Sequence, residues 1–559
     1  MGRSGLPRDQ VGAAAEVSMG GARQGADADA AAQPRLIREE IAMKERTAVR
    51  PDKRPNVLIF HTDQQRYDSL GCTGNAYAET PNIDRLASEG TLFRRHVSAS
   101  PVCMPSRASL FTGRYPNGHG VHTNGVALPR RDHWTGHPMN DGQPLNAGVF
   151  SHVPTMADAF SEAGYRTASI GKLHLTCTNA PRSCRYEESR VRWAEEAMES
   201  WSGPYYGFDR VELTIGHGED YTGHYGRWLE REYPEVAARV KSGLYRGSGA
   251  SRHTLYPSVV PVEAHSSTWI AGRAVSYLRE AANDTRPFLL FLGFPDPHFP
   301  FVPPAELAER FASKDVPPAR EKADPYGVPA AMRRLYRDDA LQNVRRFGDG
   351  FVRLARQYTD AMLHLVDLSV GRVTGALREL GLEDDTIVLF TSDHGDYLGD
   401  YGLIFKSEFG CKALNHVPLL VKVPMRRDDW PGECRAAVSN ADVLPTLCEL
   451  AGVPAPDGVQ GRSLVPLLEG RAPSSPVTVA CYGEAPEDRN FSLWNDRYRY
   501  TWYPAAGECE LYDHEADLGE TADLAGTPEA AAVRQAMHAE LLERHVRHDR
   551  PSAGKSSNW

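Results

Sequence analysis

Apolar residues follow two rhythms along this chain, and the rhythms predict its elements. Val57-Leu58-Ile59-Phe60 is an unbroken apolar run between polar flanks, the pattern of a parallel strand buried on both faces. Residues 288–294, 387–390 and 419–423 are further apolar strand candidates, and 167–170 reads as the strand after the helical stretch that Gly164 closes. Helical patterns lie between them. One covers 82–88. Another covers 153–163 and is closed by Gly164, a residue that suits the position just past a helix end. The longest covers 358–380, where Met362, Leu365, Val366, Ser369, Val373 and Leu377 recur at helical spacing. Strands alternating with helices predict an α/β domain with a mainly parallel sheet flanked by helices. After about Arg471 the rhythm changes. Residues 491–494, 498–503 and 510–512 are short strands between turn residues, and 527–545 is a terminal helix. They predict a small C-terminal α+β subdomain with an antiparallel sheet. Residues 183–267 are charged, aromatic and poorly periodic, and they read as a functional insertion. The expected division is a flexible leader (1–52), a main domain (53–471), the C-terminal subdomain (472–548) and a tail (549–559).

The chain has 559 residues, more than one ordinary core accommodates. It carries 63 Lys and Arg against 73 Asp and Glu, a formal net charge of −10. That balance gives no support to a nucleic-acid partner, although a local basic pocket can sit on an acidic protein. No apolar run reaches membrane-spanning length, and the first fifty residues lack a signal-peptide core. The expectation is therefore a cytoplasmic protein with no membrane partner, with Met43 as an alternative start. The nine cysteines include no CxxC pair, which argues against a zinc ribbon. Their odd number and even spread suit mostly reduced thiols; Cys177 and Cys184 are near enough in sequence for a local disulfide, but nothing requires one.

Candidate chemistry gathers at three places. In Ser100-Pro101-Val102-Cys103-Met104-Pro105-Ser106-Arg107, Pro105 suits the first turn of a helix, so Cys103 stands at a helix N-terminus, where the dipole favours anions. Arg107 adds fixed positive charge. Asp63 and Gln64 follow the first strand, and Asp393 and His394 follow the strand at 387–390. In open α/β sheets ligands sit beyond the carboxyl ends of strands, so these side chains can converge. Oxygen ligands with one imidazole suit a hard or borderline divalent ion, Ca²⁺ or Mn²⁺. Taken singly, an Asp after a strand is as often a helix cap, and a lone Cys is more often an inert buried thiol.

Cys103-Met104-Pro105-Ser106-Arg107 followed by Thr112-Gly113-Arg114 resembles the sulfatase signature that directs oxidation of the cysteine to formylglycine (3-oxoalanine). Pro55 through Asp63, Asp393-His394-Gly395, Gly171-Lys172-Leu173-His174, Asp296-Pro297-His298-Phe299-Pro300 and Lys406 resemble other family motifs in order. Coverage runs from about Pro55 to about Leu524. The resemblance implies an alkaline-phosphatase-like fold and hydrolysis of a small-molecule or saccharide sulfate ester by a formylglycine hydrate, after maturation by a formylglycine-generating enzyme. It implies a metal held by Asp63, Cys103, Asp393 and His394. It implies that Lys172 binds the sulfate, that His174 touches the nucleophile, and that Asp393 is the base for attack. Arg107 offsets charge, and His298 or Lys406 protonates the leaving alcohol. Gln64, Asn124, Lys172, His298 and Lys406 are the implied substrate contacts.

Two positions depart from the common pattern. Many sulfatases carry a second Asp where this chain has Gln64, and that form looks like the choline-sulfatase and phosphonate monoester hydrolase branch, which also carries an Asn at the place of Asn124. His416 replaces the usual Arg before Val417-Pro418-Leu419, which predicts an altered substrate wall. Two other readings stay open: a phosphonate monoester or phosphate diester hydrolase, and a non-catalytic binding protein with unmodified Cys103. The segments from His217 to Tyr221 and His224-Tyr225 read equally as specificity pocket or surface insertion.

Overall fold

The computed structural model describes residues 54–548 apart from 131–151, 244–252, 323–326, 349, 425–429 and 484. The expected leader 1–52, with Met43, and the expected tail 549–559 lie outside the described residues. The described residues group as one compact unit.

Eight strands build the main sheet: β1 Asn56–Thr62, β2 Thr91–Val97, β3 Arg166–Gly171, β4 Arg210–Ile215, β5 Phe288–Gly293, β6 Thr386–Ser392, β7 Leu419–Lys422 and β8 Glu433–Ser439. Their spatial order is β4-β3-β5-β1-β6-β7-β2-β8. The central strand β1 is apolar on both faces because both are covered. Val57 and Ile59 pack into one core with Phe111 and Phe291, while Leu58 and Phe60 pack into the other with Val366 and Val370 of the helix Phe351–Glu379. All neighbours pair in parallel except β7, which runs antiparallel to both β6 and β2. A parallel return would need a long crossover to the far end of the sheet. The chain after β6 instead stays at the strand ends and builds the site, so β7 starts there and runs back, with Leu419 opposite Thr391.

The second sheet is antiparallel, ordered β12-β11-β10-β9, from β9 Val477–Cys481, β10 Asn490–Trp494, β11 Tyr498–Tyr503 and β12 Glu508–Asp513. The terminal helix Ala531–His548 lays Met537 and Leu541 on Phe491, Leu493 and Leu511. The segment 183–267 is not a plain insertion. It supplies edge strand β4 and the helices Gly223–Glu232 and Pro234–Ser242. Its Glu212 lies in β4, neutralised by Arg210 and Arg273, and this buried charge hides the strand from a hydrophobicity reading. All nine cysteines are unpaired, Cys177 and Cys184 included. Among the described residues no helix is long and apolar enough to cross a membrane.

Candidate active site

Strand pairing brings the two acidic motifs together. β1 and β6 are in register from Asn56 opposite Thr386 to Thr62 opposite Ser392. The next residues, Asp63 and Asp393, therefore leave the sheet side by side although they are far apart in sequence. The backbone N–H of Gln64 donates to Asp393 Oδ1 at 3.0 Å, with Gln64 held at a φ of 65°. Both carboxylates are fully buried.

The third component is the helix Cys103–Thr112, in which Cys103 is the first residue. Asn440 fixes its approach: the amide donates to Ser106 O at 2.9 Å and accepts from Ala99 N at 2.9 Å. Val102, the residue before the helix, offers no side-chain cap. Asn124 takes that job, its Oδ1 accepting from Met104 N at 3.0 Å. One turn into the helix, Arg107 points under the carboxylates. Its Nε donates to Asp393 Oδ2 at 2.8 Å and its Nη2 to Asp63 Oδ2 at 3.1 Å. Arg107 thus acts on the site through the two aspartates it positions.

Around Cys103 Sγ stand His394 Nε2 at 3.1 Å and Lys406 Nζ at 2.7 Å. The Lys406 ammonium also donates to His298 Nε2 at 2.9 Å and to His394 Nε2 at 3.0 Å. An ammonium can only donate, so both imidazoles accept through Nε2. Their Nδ1–H groups donate to the carbonyls of Phe299 and Gly395. His394 therefore presents a lone pair toward Cys103, the form a metal ligand takes. Burial, with His217 and Lys406 beside it, holds His298 well below its ordinary value, so His298 is neutral. Burial and Asp63 push the Cys103 thiol up, but Lys406 and Lys172 act against them and the thiol comes down to about 7. Burial likewise raises the Asp63 carboxyl, and Lys172 and Arg107 overturn this and hold it well below the usual range.

Lys172 follows β3 and pairs with Asp63 Oδ2 and with His217 Nε2. His217 is the residue that a sequence reading undervalues. It lies just past β4, stacks on His298 with ring centroids 3.8 Å apart, and reaches within 3.7 Å of Asp63. Recognising β4 as a parallel edge strand would have flagged it, because its end is one more strand carboxyl end. Its neighbours prove structural: His224 accepts from Leu213 N, and Tyr225 is a core ring whose hydroxyl donates to Ala264 O.

His174 lies beside Lys172, Arg107 and His217 with φ 57°. Its Nδ1 is buried without a hydrogen-bond partner, and no bond joins it to Cys103. His416 does not wall the site. It stacks on Tyr67 with centroids 3.9 Å apart and bonds Arg94 O, lining a different cavity. A cavity of about 550 Å³ opens over Lys406, lined among others by Val102, Asn124, Arg334, Gln342 and Glu408.

The donor set fits a divalent cation. Ligand atoms of Asp63, Cys103, Asp393 and His394 lie within 4.8 Å of one another. Gln64 Oε1 beside them is buried with no hydrogen-bond partner, its amide nitrogen being spent on Asp396. An orphaned amide oxygen among carboxylates is a ready extra donor for a hard ion.

A family profile described as Sulfatase matches residues 55–453, and one described as N-sulphoglucosamine sulphohydrolase, C-terminal, matches residues 399–547. The chain is 30% identical to the multifunctional alkaline phosphatase superfamily protein PehA of Trinickia caryophylli, covering 86% of this chain and 93% of that protein. It is 27% identical to an arylsulfatase of Clostridium perfringens, covering 85% and 91% of the two. The crystal structure of the phosphonate monoester hydrolase of Agrobacterium radiobacter matches with a TM-score of 0.70 at 24% identity, over 89% of this chain and 96% of that one.

Proposed function

The chain belongs to the sulfatase family, and we propose that it hydrolyses a sulfate ester at Cys103, releasing an alcohol and sulfate. The observation that carries this reading is the contact of Lys406 with Cys103, His298 and His394 at once. It places one proton-bearing cation at the nucleophile position and at a neutral imidazole. In this reading a formylglycine-generating enzyme matures Cys103, and the formylglycine hydrate offers one oxygen for attack on sulfur and a second hydroxyl for expelling sulfate. A divalent ion, Ca²⁺ or Mn²⁺, held by Asp63, Asp393, His394 and residue 103 with Gln64 at hand, would polarise a sulfuryl oxygen and favour the ionised nucleophile.

The chain's own residues supply the rest. Asp393, kept ionised by Arg107 against burial and the Asp63 charge, accepts the nucleophile's proton. Lys172 and Lys406 offset charge as the transition state forms. Lys406 is the proton source for the leaving alcohol, with the neutral His298 ring accepting from it through Nε2. His174 is held well below its ordinary value by burial, Lys172 and Arg107, so it keeps the free lone pair that a base for sulfate release needs. Lys406→Ala should lower kcat by about 10²–10⁴-fold. The loss should be larger for alkyl sulfates than for 4-nitrophenyl sulfate, whose leaving group needs little protonation; an equal loss for both would remove Lys406 from that role.

Charge narrows the ester class. Arg107 and Lys172 pair with Asp63 and Asp393 and Lys406 stands at Cys103, while Gln64 occupies a place where a further carboxylate is common. Such a site suits a singly charged ester, which describes a sulfate monoester and equally a phosphonate monoester or phosphate diester. The phosphonate reading is therefore the second one, supported by Gln64. Paired kinetics on 4-nitrophenyl sulfate and 4-nitrophenyl phenylphosphonate decide between them. Sulfate turnover is expected; efficient phosphonate turnover with none on the sulfate would select the second reading. Stripping metal with a chelator should abolish turnover, and Mn²⁺ or Ca²⁺ should restore it. Full activity in protein shown by elemental analysis to be metal-free would sink the metal assignment.

A further inference from the structure

A second cavity, of about 410 Å³, lies where β2 and β8 meet the C-terminal sheet. It shares no lining residue with the cavity over Lys406. Six cationic side chains line it. Arg66, Arg94 and Arg320 are answered by Asp400, Glu433 and Asp68. Arg95, Lys412 and Arg435 are not: among the described residues no carboxylate stands within ion-pair reach of them. Arg95 Nη1 donates to Arg435 O at 2.7 Å and Lys412 to the carbonyl of Leu518, neutral partners, while Glu520 and Asp68 act on Lys412 and Glu433 on Arg435 only from beyond ion-pair distance. Burial pushes the Lys412 ammonium below its ordinary value, and Arg320 and Arg66 add to this against Glu520. Three unanswered cations around one concavity create a field that an anion would relieve.

The remaining wall is aromatic. The stacked rings of Tyr67 and His416 lie on one part, and Trp494 on another. The Trp494 indole N–H is buried without an acceptor, a donor that folding leaves unsatisfied. The volume falls in the range of small-molecule sites, and flat rings beside guanidinium groups suit a ligand with both a ring and an oxyanion. Arg66, in the floor, also donates to the carbonyls of Asp396 and Tyr397 at 3.2 and 3.0 Å. The cavity thus abuts the loop that carries Asp393 and His394.

We propose that this cavity is a second ligand site, for a small ring-bearing sulfate or phosphate ester held by Arg95, Lys412 and Arg435 with its ring against Tyr67, His416 and Trp494. The proposal does not depend on which ester the active site cleaves. The test is calorimetric titration of full-length Cys103→Ala protein with 1-naphthyl sulfate and, separately, 1-naphthyl phosphate. The two arms identify which oxyanion is preferred. With at least one of them, one binding event should depend on Arg435, and any event at the active site adds a second equivalent. Arg435→Ala should weaken the first of these about tenfold, and Lys412→Ala combined with Arg435→Ala about a hundredfold. Any event at the active site should be unchanged. Arg435 is exposed, so its replacement leaves the fold alone. The absence, with both esters, of any binding event weakened by Arg435→Ala would overturn the proposal.

Discussion

Cys103→Ala is expected to lower turnover at least about a thousandfold while the protein stays folded. Cys103 is almost fully buried, but a methyl group at the start of its helix removes no packing on which the core depends. What disappears is the group that Lys406, His394 and Asp63 surround. Cys103→Ser separates two parts of the chemistry. A serine hydroxyl can attack sulfur, but it lacks the second hydroxyl that expels sulfate, so it should give one turnover and a stable sulfated enzyme detectable as a mass gain on that peptide. Mass spectrometry of the native protein is the companion measurement, because maturation to formylglycine makes the Cys103 peptide about 18 Da lighter. Active protein with an unmodified Cys103 peptide would defeat the mechanism, and undiminished turnover by Cys103→Ala would defeat the site.

Arg107→Met should be the most destabilising single change in the cleft, costing about 3–5 kcal/mol in metal-free protein. Arg107 is completely buried and joins two completely buried carboxylates. Removing it leaves Asp393 with no Lys or Arg partner among the described residues and leaves Asp63 with Lys172 as its remaining Lys or Arg partner. Methionine approximates the volume, so the loss reports charge rather than a cavity. A divalent ion should return part of the stability, since it binds the same two carboxylates in the folded state only. Arg107→Lys should not rescue fully, because one ammonium does not match a guanidinium fork that reaches both aspartates and Lys172 O. A denaturation midpoint within 1 kcal/mol of wild type, by the scale on which surface changes fall, would show that the pair of carboxylates is not held by Arg107.

Some of the architecture was readable locally and some was not. β1, β5 and β6 announce themselves as apolar runs because a central parallel strand is covered on both faces. β2 and β8 do not, since Arg94, Arg95, Glu433 and Arg435 interrupt them where the sheet borders the basic cavity. The helix Phe351–Glu379 begins seven residues before its periodic stretch, in a segment whose arginines conceal buried Phe351 and Ala355. β9 lies in an ordinary apolar stretch that gives no sign of pairing until β10 is beside it. The helix Met156–Glu162 is shorter than its hydrophobic pattern because Thr155 caps it, accepting from Asp158 N.

By itself the sequence determined the reactive groups: a cysteine at a helix start, carboxylates and an imidazole after apolar strands, and two lysines in ordered motifs. Those are local facts, set by residues adjacent in the chain. The tertiary structure decided which groups meet. The β1–β6 register sets Asp63 against Asp393, and the edge position of β4 brings His217 onto His298. The turn of the chain after β6 delivers Lys406 to Cys103, Asn124 becomes a helix cap, and His416 is carried off to the other cavity. The reason is physical. Hydrophobic periodicity records how one element is buried, whereas convergence depends on strand order and pairing, which no single stretch of chain encodes.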